Sequence, residues 1–452
     1  MERLYPYRPL TTKDSIRLLK IHSRIAEDQL EVSLITFSLS DPALSFNALS
    51  YTWSNPLPEG HPYYTPYDIK RHLVLCEGQT IQVKQNLMDA LLVLSRDEEL
   101  ADSYIWIDAI CINQTDVDER THQIKLMAEI YFKASQTVVW LGRSDSTTDR
   151  AIQLAEESAE QHYAYIKEKT ATKGKCGAPV GSDDEHLPGD LDSTRNFLQR
   201  KWFTRSWTLQ EVLLPVVTIG LCGSRRFHVD NFFGMAAVML RSTQGQLTAG
   251  SGSPTGNSLS RKQLLTISSM AAWTGCTWLG GGFGERAFLR YPTVDYERTT
   301  PGEYKWLVAL ELLVNDTRQR DCSEEKDKIF APLSFALKFV TKNEARYKEA
   351  LEEILDYRLS IEELYCRFTR FMISAMGGLD ILSRTNRERD NSAMRLPSWV
   401  PAFHSPGTSS LIDEIHWTKF DAAEHLGAFK DIDSKPPKVS KKPAFQGPAH
   451  QH

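Results

Sequence analysis

The sequence predicts an α/β protein with a mostly parallel sheet flanked by helices, followed by a helical C-terminal region. Three observations carry that expectation. The segment "SYIWIDAICIN" (103–113) is apolar nearly throughout, as in a strand covered on both faces. It is followed by a helical stripe (Ile124, Met127, Ala128, Tyr131) and a short apolar run, "TVVWLG" (137–142). Strand, helix and strand within about 40 residues is βαβ spacing, which needs parallel neighbours. From residue 304 the pattern turns helical, in "YKWLVALELLVN" and then "EELYCRFTRFMISA".

The elements follow in order. Residues 1–29 read as an N-terminal extension without a predicted strand. "LEVSLITFSL" and "FNALSYTW" read as strands around the turn "SDPALS". Four prolines between 54 and 68 make that stretch a loop. "HLVLCEGQTIQV" reads as a hairpin turning at Glu77-Gly78. "NLMDALLVLSR" reads as a helix capped by Asn86, with Leu87, Leu91 and Leu94 on one face. Thr115/Asp118 and Asp116/Glu119 both have capping-box spacing ahead of the next helix. Residues 30–240 form the predicted principal domain and 301–405 a helical region. A Gly/Ser-rich insertion (241–300) separates them, and the Pro/Lys-rich tail (406–452) is expected to be disordered.

Composition narrows the function classes. Apolar residues make up 41% and charged residues 25% of the 452, which is ordinary soluble globular usage. A formal charge of −5 gives no basic field for nucleic acid. No apolar run approaches a membrane span, and the first residues lack a signal-peptide core, so a cytoplasmic location is expected. The seven cysteines are dispersed without CxxC pairing, and the twelve histidines show no ligand spacing, so neither a disulfide framework nor a metal site is expected. "GGGFGE" (280–285) lacks the flanking strand, helix and Lys-Ser/Thr of a phosphate loop and reads as a flexible loop.

Two carboxylates stand out. Asp108 interrupts an apolar strand, where a carboxylate needs hydrogen bonds or a cation. It is either a structural anchor, with Arg120 as a candidate partner, or a ligand group at the C-terminal end of a parallel strand. Glu211 lies in "RKWFTRSWTLQEVLL" (200–214). If that stretch is helical, Trp207 and Glu211 share a face, Leu209, Leu213 and Leu214 point to the core, and Arg205 is a donor for phosphate or carboxylate. Glu211 is then either paired with Arg200, Arg205 or backbone, or a partly desolvated carboxylate beside an aromatic wall.

Three blocks together resemble the fungal HET (heterokaryon incompatibility) domain: "FNALSYTWSNP" (46–56), "IWIDAICINQTDVDERTHQIKLMAEIYFKASQTVVWLG" (105–142) and "RKWFTRSWTLQEVLL" (200–214). "RDCSEEKDKIFAPLSFA", "LDYRLSIEELYCRFTRFMI" and "RLPSWVPAF" look like the downstream region of such proteins, so the likeness runs from about 30 to 405. Ser54 departs from the family's glycine and Pro332 from its leucine. The resemblance implies a role in non-self recognition that ends in programmed cell death, with self-association on activation and an unknown protein trigger. HET domains also resemble TIR domains distantly, which implies a TIR-like or flavodoxin-like core. By that likeness Trp207 and Glu211 match the TIR Trp-Cys-x-x-Glu element, with Thr208 in place of the cysteine. This implies NAD as a substrate rather than a resident cofactor, cleaved by an NAD glycohydrolase with Glu211 catalytic. Tyr51, Trp53, Asp108, Arg205 and Trp207 are the substrate-binding candidates under this reading, with no metal. The alternative is a non-enzymatic signalling and self-association module.

Overall fold

The computed structural model describes residues 3–26, 29–67, 71–172, 191–236, 305–338, 345–377 and 394–405, with a few single positions between these ranges. The expected insertion at 241–300 (apart from Thr266, Ile267 and Met270), its Gly-rich run at 280–285, and the expected tail at 406–452 lie outside the described residues.

One nine-stranded sheet forms the frame. Its strands are β1 (Ser15–Ala26), β2 (Gln29–Ser38), β3 (Asn47–Tyr51), β4 (His72–Cys76), β5 (Gln79–Val83), β6 (Tyr104–Trp106), β7 (Gln136–Trp140), β8 (Thr218–Cys222) and β9 (Arg225–His228), in spatial order β5-β4-β2-β1-β6-β3-β7-β8-β9. The centre, β6-β3-β7-β8, is parallel, as βαβ spacing predicts. The flanks correct the expectation of a mostly parallel sheet. Of the eight pairings four are parallel and four antiparallel, because β1/β2, β4/β5 and β8/β9 are hairpins and β1 runs against β6. All five residues of β3 are buried, as a strand covered on both faces requires.

The longest strand, β1, lies in a segment from which no strand was expected. Its Ile16, Leu18, Leu19 and Ile21 are core residues, but Arg17 and Lys20 between them mask the pattern. Arg17 can be buried because Nη1 lies 2.6 Å from Glu119 Oε1 and donates to the Cys111 carbonyl at 3.0 Å. The expected strand over 103–113 is cut short at Trp106. Asp108–Cys111 form a one-turn helix, α2, and the Asp108 carboxylate accepts from the Ala109 amide at 2.6 Å, which favours the turn over continued pairing.

The 77–78 turn is as read, with both central residues at positive φ (51° and 76°), the requirement of a type I′ hairpin. Helix α1 (Gln85–Leu94) is not capped by Asn86. Asn86 sits inside the helix, fully buried, giving Nδ2 to the Thr52 carbonyl at 2.7 Å and taking the Trp140 indole at 2.9 Å. It locks α1 to the ends of β3 and β7. Helix α3 (Val117–Lys133) is capped by Asp116, which accepts from the amides of Asp118 and Glu119, both at 3.0 Å. Helices α4 (Thr148–Thr172) and α5 (Leu191–Leu198) precede the Trp-rich motif.

Beyond that motif come helices α7 (Lys305–Thr317), α8 (Asp327–Leu337), α9 (Ala345–Ile354) and α10 (Ile361–Met376). Helix α8 packs on α3 and on the motif helix α6 (Thr208–Leu213), so one buried apolar cluster runs from the sheet into the C-terminal helices. Pro332 lies inside α8 and removes the N–H that would bond the Lys328 carbonyl. The Thr317 hydroxyl reaches that carbonyl at 2.7 Å, which is how the helix tolerates the proline.

Candidate functional site

The stretch 200–214 is not one helix. Lys201–Thr204 form a single 3-10 turn, Arg205 is extended (φ −71°, ψ 145°), and α6 begins at Thr208. Trp202 and Phe203 enter the core from the first turn, and Leu209, Leu213 and Leu214 enter it from α6. The extended Arg205 between them lines a cleft. Arg205 donates from Nη1 to the Tyr51 carbonyl at the end of β3.

Glu211 is 3% exposed, at the inner wall of that cleft. Ser50 Oγ donates to its Oε2, and Arg205 Nη1 stands 3.7 Å from the same oxygen. Ser50 in turn accepts from the Trp202 indole at 2.6 Å. Of the cations considered from sequence, Arg205 is the partner. Arg200 pairs instead with Asp145, 2.9 Å away.

The cleft has a volume of about 750 Å³, within the usual range for small-molecule sites. It opens at the C-terminal ends of β3 and β6, where the strand order turns back on itself and α/β sheets commonly hold ligands. Trp53, Asp108, Arg205, Trp207 and Glu211 all line it. Tyr51 does not. Its ring is buried and only its carbonyl serves the site, through Arg205. Burial, and then the Asp108 charge, push the Tyr51 phenol well above its ordinary pKa.

Asp108 is half-buried and is held by the Trp53 indole at 2.9 Å rather than by Arg120. Arg120 stacks over the Tyr357 ring (5.1 Å) and lies 4.0 Å from Glu324. Burial raises the Asp108 carboxyl to about 6, against the opposing pull of Arg205 and the Trp53 hydrogen bond. A carboxyl raised in the fold binds its proton more tightly there than in the unfolded chain. Its favourable contribution is complete below about pH 4 and is lost as pH rises through about 6. His61 has the opposite sign: burial lowers its pKa, so it costs stability as pH falls through its unfolded value near 6.5. Comparison with Asp108→Asn isolates the first effect. We expect Asp108→Asn to be more stable than wild type at pH 7.5 by about 1–2 kcal/mol, a figure discounted for partial exposure. The advantage should shrink to nothing near pH 4; denaturant curves at both pH values check it, and parallel curves would refute it.

Sequence reading missed three contributors. Ser50 gave no signal because a serine in a strand is unremarkable until its partners are known. Ser50→Ala orphans the buried Trp202 N–H and strips a donor from Glu211. It should cost about 1–3 kcal/mol in denaturant unfolding. Asp327 and Tyr357 come from the C-terminal region. Asp327 is 7% exposed and accepts from the Tyr357 phenol (2.5 Å), and burial raises its carboxyl to about 6. Among the described residues no group of three or more His, Cys, Asp or Glu side chains has metal-holding geometry, the five described cysteines are unbridged, and no helix is long and apolar enough to cross a membrane.

Residues 46–211, from the edge of β3 to Glu211 itself, match the family model described as Heterokaryon incompatibility protein (HET). That segment is what the chain shares with the HET family. It is also similar to "Heterokaryon incompatibility protein 6, OR allele" of Neurospora crassa, with 28% identity over 241 residues, 49% of this chain and 35% of that protein. The chain thus spans about a third of the length of that curated relative. No solved structure matches it. The cleft straddles the end of the matched segment: Glu211, Arg205 and Trp207 belong to it, while Asp327 and Tyr357 lie beyond it.

Proposed function

We propose that the protein acts in fungal heterokaryon incompatibility and triggers cell death by hydrolysing NAD or a related nucleotide in this cleft, with Glu211 as the catalytic carboxylate. The observation that carries the reading is the setting of Glu211: desolvated at the wall of a cleft with Trp53 and Trp207 among its aromatic residues and Arg205 as a phosphate-compatible donor. Cleavage breaks the bond between ribose C1′ and the pyridinium nitrogen, and its electron pair neutralises the nicotinamide ring. The oxocarbenium-like carbon left behind is the charge a fixed carboxylate stabilises, and water then supplies the hydroxyl of ADP-ribose and releases a proton. Trp53 and Trp207 offer stacking faces and Arg205 a pyrophosphate donor. Self-association is expected to be required, and a separate protein is expected to trigger it.

One observation favours a second reading. Ser50 and Arg205 bind the same Glu211 oxygen as they would a structural carboxylate, which suits a non-enzymatic self-association module. The experiment is to purify the full chain, drive it into clusters, and follow nicotinamide release from NAD. If every assembly state is inert while death induction in cells persists, the hydrolase reading fails and the signalling module stands.

A further inference from the structure

Hydrolysis leaves one proton to be placed, because the water that attacks ribose C1′ must give it up. Glu211 is committed elsewhere: its Oε2 accepts from Ser50 and stands 3.7 Å from Arg205. Asp108 shares the cleft with it. The two carboxylates reach the cleft from adjacent parallel strands. Ala48 of β3 is paired with Trp106 of β6, and Ser50, which holds Glu211, and Asp108 each stand two residues further on. The remaining cleft carboxylates, Asp321, Glu324 and Asp327, enter from a different segment.

The two settings differ. Asp108 makes no ion pair among the described residues. Its partners are neutral N–H groups: Oδ1 accepts from the Ala109 amide at 2.6 Å and Oδ2 from the Trp53 indole at 2.9 Å. A carboxylate oxygen has two acceptor positions, so each keeps one for water. The Gln114 amide, donating to the Asp108 carbonyl at 2.8 Å, pins the backbone beneath it. Trp53 is 39% exposed, so the carboxyl stands where solvent can reach it. The charged and titratable groups that act on Asp108 are Arg205 and Glu211 from the motif, Tyr51 from the end of β3, Tyr131 from α3 and Cys111 from its own turn. Lys84, at the start of α1, stands 5.9 Å over the Trp53 ring. Burial holds both phenols well above their ordinary range and pushes the thiol up to about 12, so none of those three exchanges protons near neutrality. The Asp108 carboxyl, raised to about 6 chiefly by burial, does.

We propose that Asp108 is a second catalytic carboxylate of the cleft, the base that takes the proton from the water attacking ribose C1′ while Glu211 faces the oxocarbenium-like carbon. This rests on the hydrolase reading of the cleft and adds the destination of the proton. The water oxygen forms the bond to C1′, one of its protons passes to an Asp108 oxygen, and the carboxyl then releases it to solvent.

The test follows nicotinamide release by the full, clustered chain between about pH 5 and pH 8. Wild-type kcat is expected to fall as pH drops through about 6, where Asp108 takes up its proton and can no longer act as a base. Asp108→Asn is expected to lose about 10²-fold in kcat at neutral pH, and that limb with it. The same substitution is expected to stabilise the chain at neutral pH, so unfolding does not account for the loss. Asp327, whose carboxyl also lies at about 6, is the control: Asp327→Asn should keep the limb. Asp108→Ala adds a readout that a structural role would not move. Azide attacks C1′ with no proton to lose, so it should raise turnover of this variant about tenfold and yield the ribosyl azide in place of ADP-ribose. Glu211→Gln should show no such rescue. An Asp108→Asn chain that keeps the limb, or an Asp108→Ala chain that azide leaves unmoved, overturns the proposal. Loss of the limb and azide rescue beside a Glu211→Gln chain as active as wild type remove Glu211 and leave Asp108 standing. A wild type that releases no nicotinamide in any assembly state sinks both.

Discussion

Replacing Glu211 by glutamine is expected to lower nicotinamide release from NAD by about 10³-fold in kcat, with KM changed far less. The substitution removes the negative charge that would face the developing oxocarbenium carbon, and leaves the stacking surfaces and Arg205 to bind the ground state. Glutamine is nearly isosteric and its carbonyl oxygen can take the place of Oε2, but it offers the Ser50 hydroxyl a neutral acceptor and leaves Arg205, 3.7 Å from that oxygen, without its ion-pair partner. A loss of about 1–2 kcal/mol in stability is therefore expected beside the kinetic one. The two are separated by assaying well below the unfolding midpoint. A Glu211→Gln chain as active as wild type would remove Glu211 from the chemistry.

The second large effect is on folding. Arg200→Ala should destabilise the chain by about 3–5 kcal/mol, the usual result of leaving one member of a buried ion pair alone. Arg200 is fully buried: Nη2 bonds Asp145 Oδ2 at 2.9 Å and Cys222 Sγ at 3.3 Å, and the guanidinium lies 4.9 Å over the Phe197 ring. Burial alone would raise the Asp145 carboxyl. Hydrogen bonds from Thr147 and the Arg200 charge outweigh it and hold the group below its ordinary value. A lowered carboxyl contributes stability above its unfolded pKa near 4 and loses it as pH falls through the folded value. The cost of Arg200→Ala should accordingly be largest at neutral pH and smaller in acid. Urea unfolding at pH 7 and pH 4 measures it, and a cost below about 1 kcal/mol at pH 7 would show that the pair is dispensable.

The parts of this architecture legible in the sequence are those where local pattern and tertiary demand agree. β3 and β7 are short apolar runs that end in aromatic residues and become the buried centre of the sheet. The Glu77-Gly78 turn and the Asp116 cap depend on backbone chemistry within a few residues. Strand β1 was hidden because Arg17 looks like a surface residue until Glu119, over a hundred positions away, is known to meet it. Trp53, Asp108, Arg205, Trp207 and Glu211 converge on one cleft from three separate blocks, a convergence that family likeness anticipates and spacing alone does not. The partners that tune them were illegible for the same reason as β1. Ser50 reaches Glu211 across 161 positions, and Asp327 and Tyr357 enter the cleft lining from beyond the matched segment.

The backbone exchange between Thr204, Ser206 and Asp321 bears on how such proteins can be recombined. Two main-chain bonds and a parallel bridge are shape-specific but indifferent to side chains, so they would survive much sequence divergence on either side. The side chains that line the cleft beside them would not. A chimera that transplants residues 46–211 from one relative into another would keep the seam and mismatch the lining. It would fold with a cleft whose two parts no longer match, unless the segment around Asp327 and Tyr357 travelled with it.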